Sequence, residues 1–299
     1  MQVKEQMMGS NEEFVYHQCI ICGHTHLPSI PENIGRYYDT KAYYSFKEER
    51  GIPKLVITKI RQSVKKIFIQ LKLRRNFLFS SALEALLSAD KINKTTSILD
   101  YGCGAGQFVK ELNDLGFYNA CGFDPFLPVV LQNQNKLHLT NDLKTFKNAG
   151  WDIITLNHVF EHLENPIEVL SSFNKLLNKD GKLILRFPII DSFAFEKYKE
   201  NWVQFDAPRH INLFTRKSIR IAVEKGGNFK ILKEYDDSFH FQFTGSELYL
   251  KKLTLSPQHN SQLKRLLSFK TYQYHFQAKK LNSRQLGDQM VIILEKLAG

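Results

Sequence analysis

The strongest chemical signal in this chain comes from Asp100, Gly102, Gly104 and Gly106, set within Ser97-Ile-Leu-Asp-Tyr-Gly-Cys-Gly-Ala-Gly106. The apolar residues before Asp100 read as a short buried strand. Phe108, Val109 and Leu112 of the following Gln107-Phe-Val-Lys-Glu-Leu112 share one helical face. A strand-to-helix turn built on alternate glycines lets the backbone come close to a ligand, because no Cβ intervenes. It also aims unpaired N–H groups of a helix N-terminus above the sheet edge. Asp100 adds a charged acceptor there, so the edge suits a ligand bearing amino and hydroxyl donors as well as a carboxylate. The competing account is a tight turn with no ligand. A dinucleotide fingerprint from Gly102 would need glycine at position 107, where Gln107 stands.

A second acid, Asp124, closes Asn119-Ala-Cys-Gly-Phe-Asp124 and is followed by the strand-breaking Pro125. It stands about twenty residues past the loop, where a doubly wound sheet places the carboxylate that accepts from a ribose diol. Three histidines are candidate general bases, since imidazole titrates near neutrality. His158 and His162 follow the apolar stretch Trp151-Asp-Ile-Ile-Thr-Leu-Asn157, and His210 ends Asp206-Ala-Pro-Arg-His210. Each is equally a neutral histidine bonded within the fold. His210 is preferred, on the side of the sheet that receives a second substrate. Its neighbour Arg209 either grips a phosphate or carboxylate through paired N–H groups or forms a salt bridge in its loop.

The elements that position these residues alternate. Strands are expected at 97–101, 119–124, 137–139, 151–157, 182–188, 229–235 and 289–295. Helices are expected after the glycine loop, over 126–135, from Pro166 and from a cap at Ser218. That is a doubly wound, mostly parallel seven-stranded α/β sheet, its last strand antiparallel. About fifty residues, 237–287, interrupt it before that strand and read as a partly helical insertion. Residues 91–299 form the main domain and residues 1–90 an N-terminal helical extension. The extension comprises a loose polar start, a Cys19-Ile-Ile-Cys22-Gly23 turn, a tyrosine-rich segment with Tyr37 and Tyr38, and helices over 54–75 and 77–89.

The D-x-G-x-G-x-G loop, Asp124, and the unit Trp151–Pro188 with its Glu161-His162-Leu163 triplet resemble class I S-adenosylmethionine-dependent methyltransferases over residues 95–236. The C-x-x-C-G turn, the paired tyrosines and the Pro208-Arg209-His210 motif resemble a bacterial subgroup that modifies sugars or other small molecules. The resemblance implies S-adenosyl-L-methionine as cofactor. It implies cofactor contacts from Asp100, Gly102, Cys103, Gly104, Gly106, Asp124, Pro125, Asp142, Asn157 and His158, with Asn141 or Asp142 toward the adenine. It implies catalysis by His210, His162 or His158 on a small acceptor, sugar-linked or phosphorylated.

The chain has 299 residues, 43% of them hydrophobic, and a net charge of +11. Its N-terminus lacks the apolar core of an export signal, so a cytoplasmic enzyme is expected. Two cysteines make half of a zinc ribbon. With no second pair, and with His24 and His26 crowded into one turn, no metal is assigned. Residues 51–83 hold no acid but Lys54, Lys59, Arg61, Lys65, Lys66, Lys72, Arg74 and Arg75. This segment is either a solvated face of a docked helix or a contact for an anionic acceptor or the inner membrane surface. Two alternatives stay open: a nucleic-acid methyltransferase, and a cofactor-binding scaffold without catalysis. Nucleic acid is disfavoured because Asn157-His-Val-Phe160 replaces the aromatic motif that grips a flipped base. The insertion could cap the pocket or serve a homodimer.

Overall fold

Residues that alternate along the central strands face two different cores. Leu99, Ile154, Leu183, Leu185, Ile292 and Leu294 pack into one. Their immediate neighbours Ile98, Ile153, Ile184, Val291 and Ile293 pack into the other. Period-two alternation with both faces apolar is what a sheet covered by helices on both sides requires. Each such side chain taken fully out of water stabilises the fold by about 1.5–3 kcal/mol.

The computed structural model describes residues 1–38, 62–67, 69, 79–127, 138–146, 150–255 and 260–297. In chain order the strands are β1 (Gln2–Lys4), β2 (Glu13–Val15), β3 (His17–Gln18), β4 (Thr25–His26), β5 (Ile98–Tyr101) and β6 (Ala120–Phe123). They continue with β7 (His138–Thr140), β8 (Trp151–Asn157), β9 (Leu177–Pro188), β10 (Asn212–Leu213), β11 (Phe229–Asp236) and β12 (Gln289–Lys296). The α-helices are α1 (Ser81–Leu87), α2 (Gln107–Asp114), α3 (Pro166–Leu176), α4 (Phe193–Tyr198), α5 (Arg216–Gly226), α6 (Phe241–Leu250) and α7 (Asn260–Asn282).

The main sheet runs β11-β12-β9-β8-β5-β6-β7. Strands β9, β8, β5, β6 and β7 are parallel, and β12 is antiparallel to both of its neighbours. The expected architecture is therefore present. The strand order reverses at β5, between β8 and β6, and puts the ends of these three strands at a topological switch point.

Several local expectations are corrected. Residues 1–18 are not loose: β1 and β2 form an antiparallel hairpin. Val3 and Tyr16 are buried there because they pack into a third core with Trp202, Phe205, Leu213, Phe243 and Leu281. The described part of the extension thus holds a β hairpin beside its helical segments, with β3 and β4 joined to β10 in a second small sheet. Thr215, not Ser218, is the N-cap of α5; the two residues bond reciprocally, so Ser218 sits one turn inside. Of the basic segment 54–75, only 62–67, which are helical, and 69 are described. There Lys65 Nζ lies 2.6 Å from Glu111 Oε1 on α2, as expected of a docked helix. The remainder of 54–75, and 128–135 of the helix expected over 126–135, lie outside the described residues. No described helix is long and apolar enough to cross a membrane.

Candidate active site

The parallel pairing of β5 with β8 sets Asp100 opposite Thr155. Thr155 Oγ1 donates to Asp100 Oδ1 at 2.8 Å and Asn157 Nδ2 donates to the same oxygen at 3.3 Å. Burial pushes the Asp100 carboxyl up to about 7; these two bonds oppose the shift and Asp124 adds to it. Asp124 accepts from the Gly104 N–H at 2.9 Å on Oδ2 and from the Phe126 N–H at 2.9 Å on Oδ1. Burial raises its pKa as well, against the pull of these two donors.

The loop between them is shaped by its packing as much as by any ligand. Gly102 has φ +77°, and a Cβ there would lie 2.3 Å from Val159 Cγ2. Gly106 has φ +76°, and a Cβ there would lie 2.6 Å from Leu139 Cδ1. The N–H groups of Gly102 and Cys103 donate to the Phe123 carbonyl at 2.7 and 3.0 Å, and that of Gly106 to the Cys103 carbonyl at 2.9 Å. Gly104 N–H is already committed to Asp124. Four donors of the loop, those of Gly102, Cys103, Gly104 and Gly106, are therefore spent inside the fold. Two buried carboxylates remain, an acceptor set suited to a ligand with a diol and a positive charge. Cys103 is buried and burial raises its thiol pKa. Pro125 is exposed. Asp142 is exposed at the end of β7, where its Oδ1 accepts from Lys144 N–H at 2.9 Å.

The histidines converge on Glu161, which lies in the 3₁₀ turn Phe160–His162 after β8. His158 has φ +55°, and its Nε2 accepts from Arg186 Nη1 at 2.7 Å. Its other nitrogen, Nδ1, therefore carries the proton and lies 3.3 Å from Glu161 Oε1. Both nitrogens being engaged, His158 is the least suited of the three to act as a base. His162 Nδ1 lies 2.7 Å from the Arg209 carbonyl and 3.1 Å from Tyr38 Oη. His210 Nδ1 lies 2.7 Å from the Gln204 carbonyl. A carbonyl only accepts, so both rings carry their proton on Nδ1 and keep a lone pair on Nε2.

Glu161 is wholly buried and neither of its oxygens has a hydrogen bond of good geometry. Burial alone would raise its pKa, but the His158 contact pulls it down. Burial and the neighbouring His210 ring lower the pKa of His162.

Arg209 is fully buried and bonded to Asp206 through Nε at 2.9 Å and Nη2 at 2.5 Å, with Glu5 at 3.6 Å and the Tyr37 carbonyl at 3.1 Å. Of its two readings the salt bridge holds, and no guanidinium edge is left for an acceptor anion. Tyr38 links the two halves of the site: its ring stacks on Phe126 with centroids 5.6 Å apart, and its hydroxyl meets His162. A separate cleft lined by Asp90, Asn93, Asp152 and Lys182 opens at the opposite, amino-terminal edge of the sheet, away from these groups.

The family described as "Methyltransferase domain" matches residues 71–234, more than half of the chain. The chain belongs to this methyltransferase family. The methyltransferase has no match among curated proteins. Its fold is similar to that of a SAM-dependent methyltransferase from Archaeoglobus fulgidus, at 18% identity over 72% of this chain and 91% of the other, with TM-score 0.45. It is likewise similar to the YcgJ protein of Bacillus subtilis, at 12% identity over 73% and 99% of the two chains, with TM-score 0.46. A third likeness is to coclaurine N-methyltransferase, at 15% identity over 72% and 71%, with TM-score 0.43.

The sequence brought out the loop, Asp124 and all three histidines of this methyltransferase. Glu161 was visible only as part of a triplet, although an acid directly before His162 at a strand end was a usable signal. Arg186 gave none, since its partners Asp237, His158 and Gln289 come from three separate segments.

Proposed function

We propose that this methyltransferase methylates a hydroxyl of a small, sugar-like acceptor, of the kind used in surface polysaccharide or secondary metabolism. The methyl donor is S-adenosylmethionine, which supplies a methyl group on a sulfonium with a good leaving group. Asp124 would hold its ribose diol, Asp100 and Asn157 its methionine end, and Asp142 and Pro125 would lie toward the adenine. Alignment then does most of the work, because the leaving group is already activated.

The acceptor hydroxyl must also lose its proton as it attacks. The observation that carries this reading is the shared arrangement of His162 and His210. Both spend Nδ1–H on backbone carbonyls, which leaves each ring an Nε2 lone pair, and that of His210 lies 3.7 Å from Glu161 Oε1. His210 is the preferred member, as it adjoins the loop 191–214 that borders the acceptor side. The resemblance around Pro208-Arg209-His210 supports a sugar acceptor, and the basic segment 54–75 suits one carrying phosphate.

Incubating the enzyme with S-adenosylmethionine and a panel of nucleotide-linked sugars, read by mass spectrometry, tests this. One added methyl on a sugar hydroxyl is the expected product. Methylation of amines or nucleic acid alone, with every sugar untouched, would overturn the proposed acceptor class.

A further inference from the structure

Glu161, His162 and His210 offer donor atoms that all lie within 4.8 Å of one another. His210 Nε2 is 3.7 Å from Glu161 Oε1, and the two imidazole rings meet edge to face with centroids 4.8 Å apart. The carboxylate is wholly buried and neither oxygen has a hydrogen bond of good geometry. His158 Nδ1–H approaches Oε1 at 3.3 Å, whereas the Nδ1–H groups of His162 and His210 point away, to the carbonyls of Arg209 and Gln204. A carboxylate oxygen and the His210 Nε2 lone pair thus face one another in a largely dehydrated place, with the His162 ring beside them. That is unfavourable unless something positive sits among them.

A single proton on one ring could bridge to only one partner at a time. A divalent cation would engage all three. Metal-bound histidines characteristically donate their second N–H to a carbonyl or carboxylate, which fixes the ring and its tautomer. Both histidines here are held in that way. Ligand atoms about 2.0–2.2 Å from a tetrahedral metal stand roughly 3.4 Å apart, so the 3.7 Å separation is close to that spacing. His162 is half-buried, which leaves the cluster an open side.

We infer that Glu161, His162 and His210 form a binding site for a borderline divalent transition metal such as zinc, with one position open to the methyl acceptor. Two imidazoles and one carboxylate suit zinc or iron(II) and not magnesium, which prefers oxygen donors and retains its waters. The role given to the metal rests on the methyl-transfer reading, whereas its binding does not. In that role the acceptor hydroxyl ligates the cation and its proton leaves to solvent. The oxygen then forms the C–O bond while the C–S bond breaks, its electron pair staying on sulfur. Loaded with metal, the cluster acts through the cation and not through a ring nitrogen.

Cobalt(II) uptake by the full-length protein, stripped with chelator, provides the test. The expected result is one cobalt held with visible bands of a nitrogen–oxygen site, with no intense thiolate-to-cobalt band. A Cys19→Ser/Cys22→Ser variant separates the exposed cysteine turn from this site and should keep the same spectrum. Glu161→Gln and His210→Asn should each weaken uptake at least about 100-fold, in protein shown to be folded by circular dichroism. Absence of uptake, a spectrum lost with the cysteines, or one unchanged by both cluster variants overturns the site. Calorimetry with S-adenosylmethionine is run on the same samples. Cobalt bound without cofactor affinity would refute the functional reading and leave the metal site standing.

Discussion

Arg186 donates to His158 Nε2 at 2.7 Å, and this contact removes from the site a base that its sequence position suggested. The guanidinium is itself fixed by Asp237 and by Gln289 Oε1 at 2.7 Å, so the His158 ring is held in one tautomer with Nδ1–H toward Glu161. A positioning role is what remains. His158→Asn, which tolerates the left-handed backbone, is expected to lower kcat by less than about 10-fold. His210→Gln is expected to lower it by about 100-fold or more. Steady-state kinetics of the two variants on a common acceptor check the order, and equal losses would contradict it.

Asp100 gives cofactor binding a pH dependence. Its carboxyl rises from the ordinary 3.8 to about 7 in the folded protein, mainly through burial. Between these values the native state binds a proton that the unfolded state has released. Its contribution to stability is therefore full below about pH 4 and is lost as pH rises through 7. Asp100→Asn should be more stable than the wild type at pH 8, the difference shrinking toward pH 4. A cationic ligand favours the ionised form, so affinity for S-adenosylmethionine should climb from pH 6 to 8 in the wild type and stay flat in the variant. Calorimetry across that range reads both slopes.

Gly102 should tolerate no side chain. A Cβ there lies 2.3 Å from Val159 Cγ2, on a backbone with φ +77°. Gly102→Ala is expected to destabilise the fold by about 2–4 kcal/mol, from overpacking together with the left-handed strain. Urea unfolding measures it. Adding Val159→Ala should recover the packing share and leave the backbone share.

Arg209 is expected to matter for stability. Removing the guanidinium leaves Asp206 and Glu5 buried without their shared partner. Arg209→Met should cost about 3–5 kcal/mol, the usual penalty for breaking a buried ion pair from one side. Thermal unfolding should show that loss. A direct anion contact predicts instead a raised KM for a phosphorylated acceptor with unfolding unchanged.

Much of this protein follows from local pattern alone. The strand over Trp151–Asn157 ends where it was expected, because its apolar run is bounded by turn-forming residues on both sides. The acids at positions 100 and 124 and the glycines between them fixed a strand–loop–helix unit, since few residue types permit those backbone angles. Sequence could not reveal which N–H groups of that loop were free, because β6 takes up two of them from another segment. Nor could it rank the histidines. Hydrogen bonds to Arg186, Arg209 and Gln204 decide which ring nitrogen keeps a lone pair, and those partners lie between 6 and 47 residues away. The N-terminal residues looked loose because so short a stretch buries little by itself. The surface that holds Val3 and Tyr16 in place comes from distant segments, the aromatic layer of residues 190–213 together with Phe243 and Leu281.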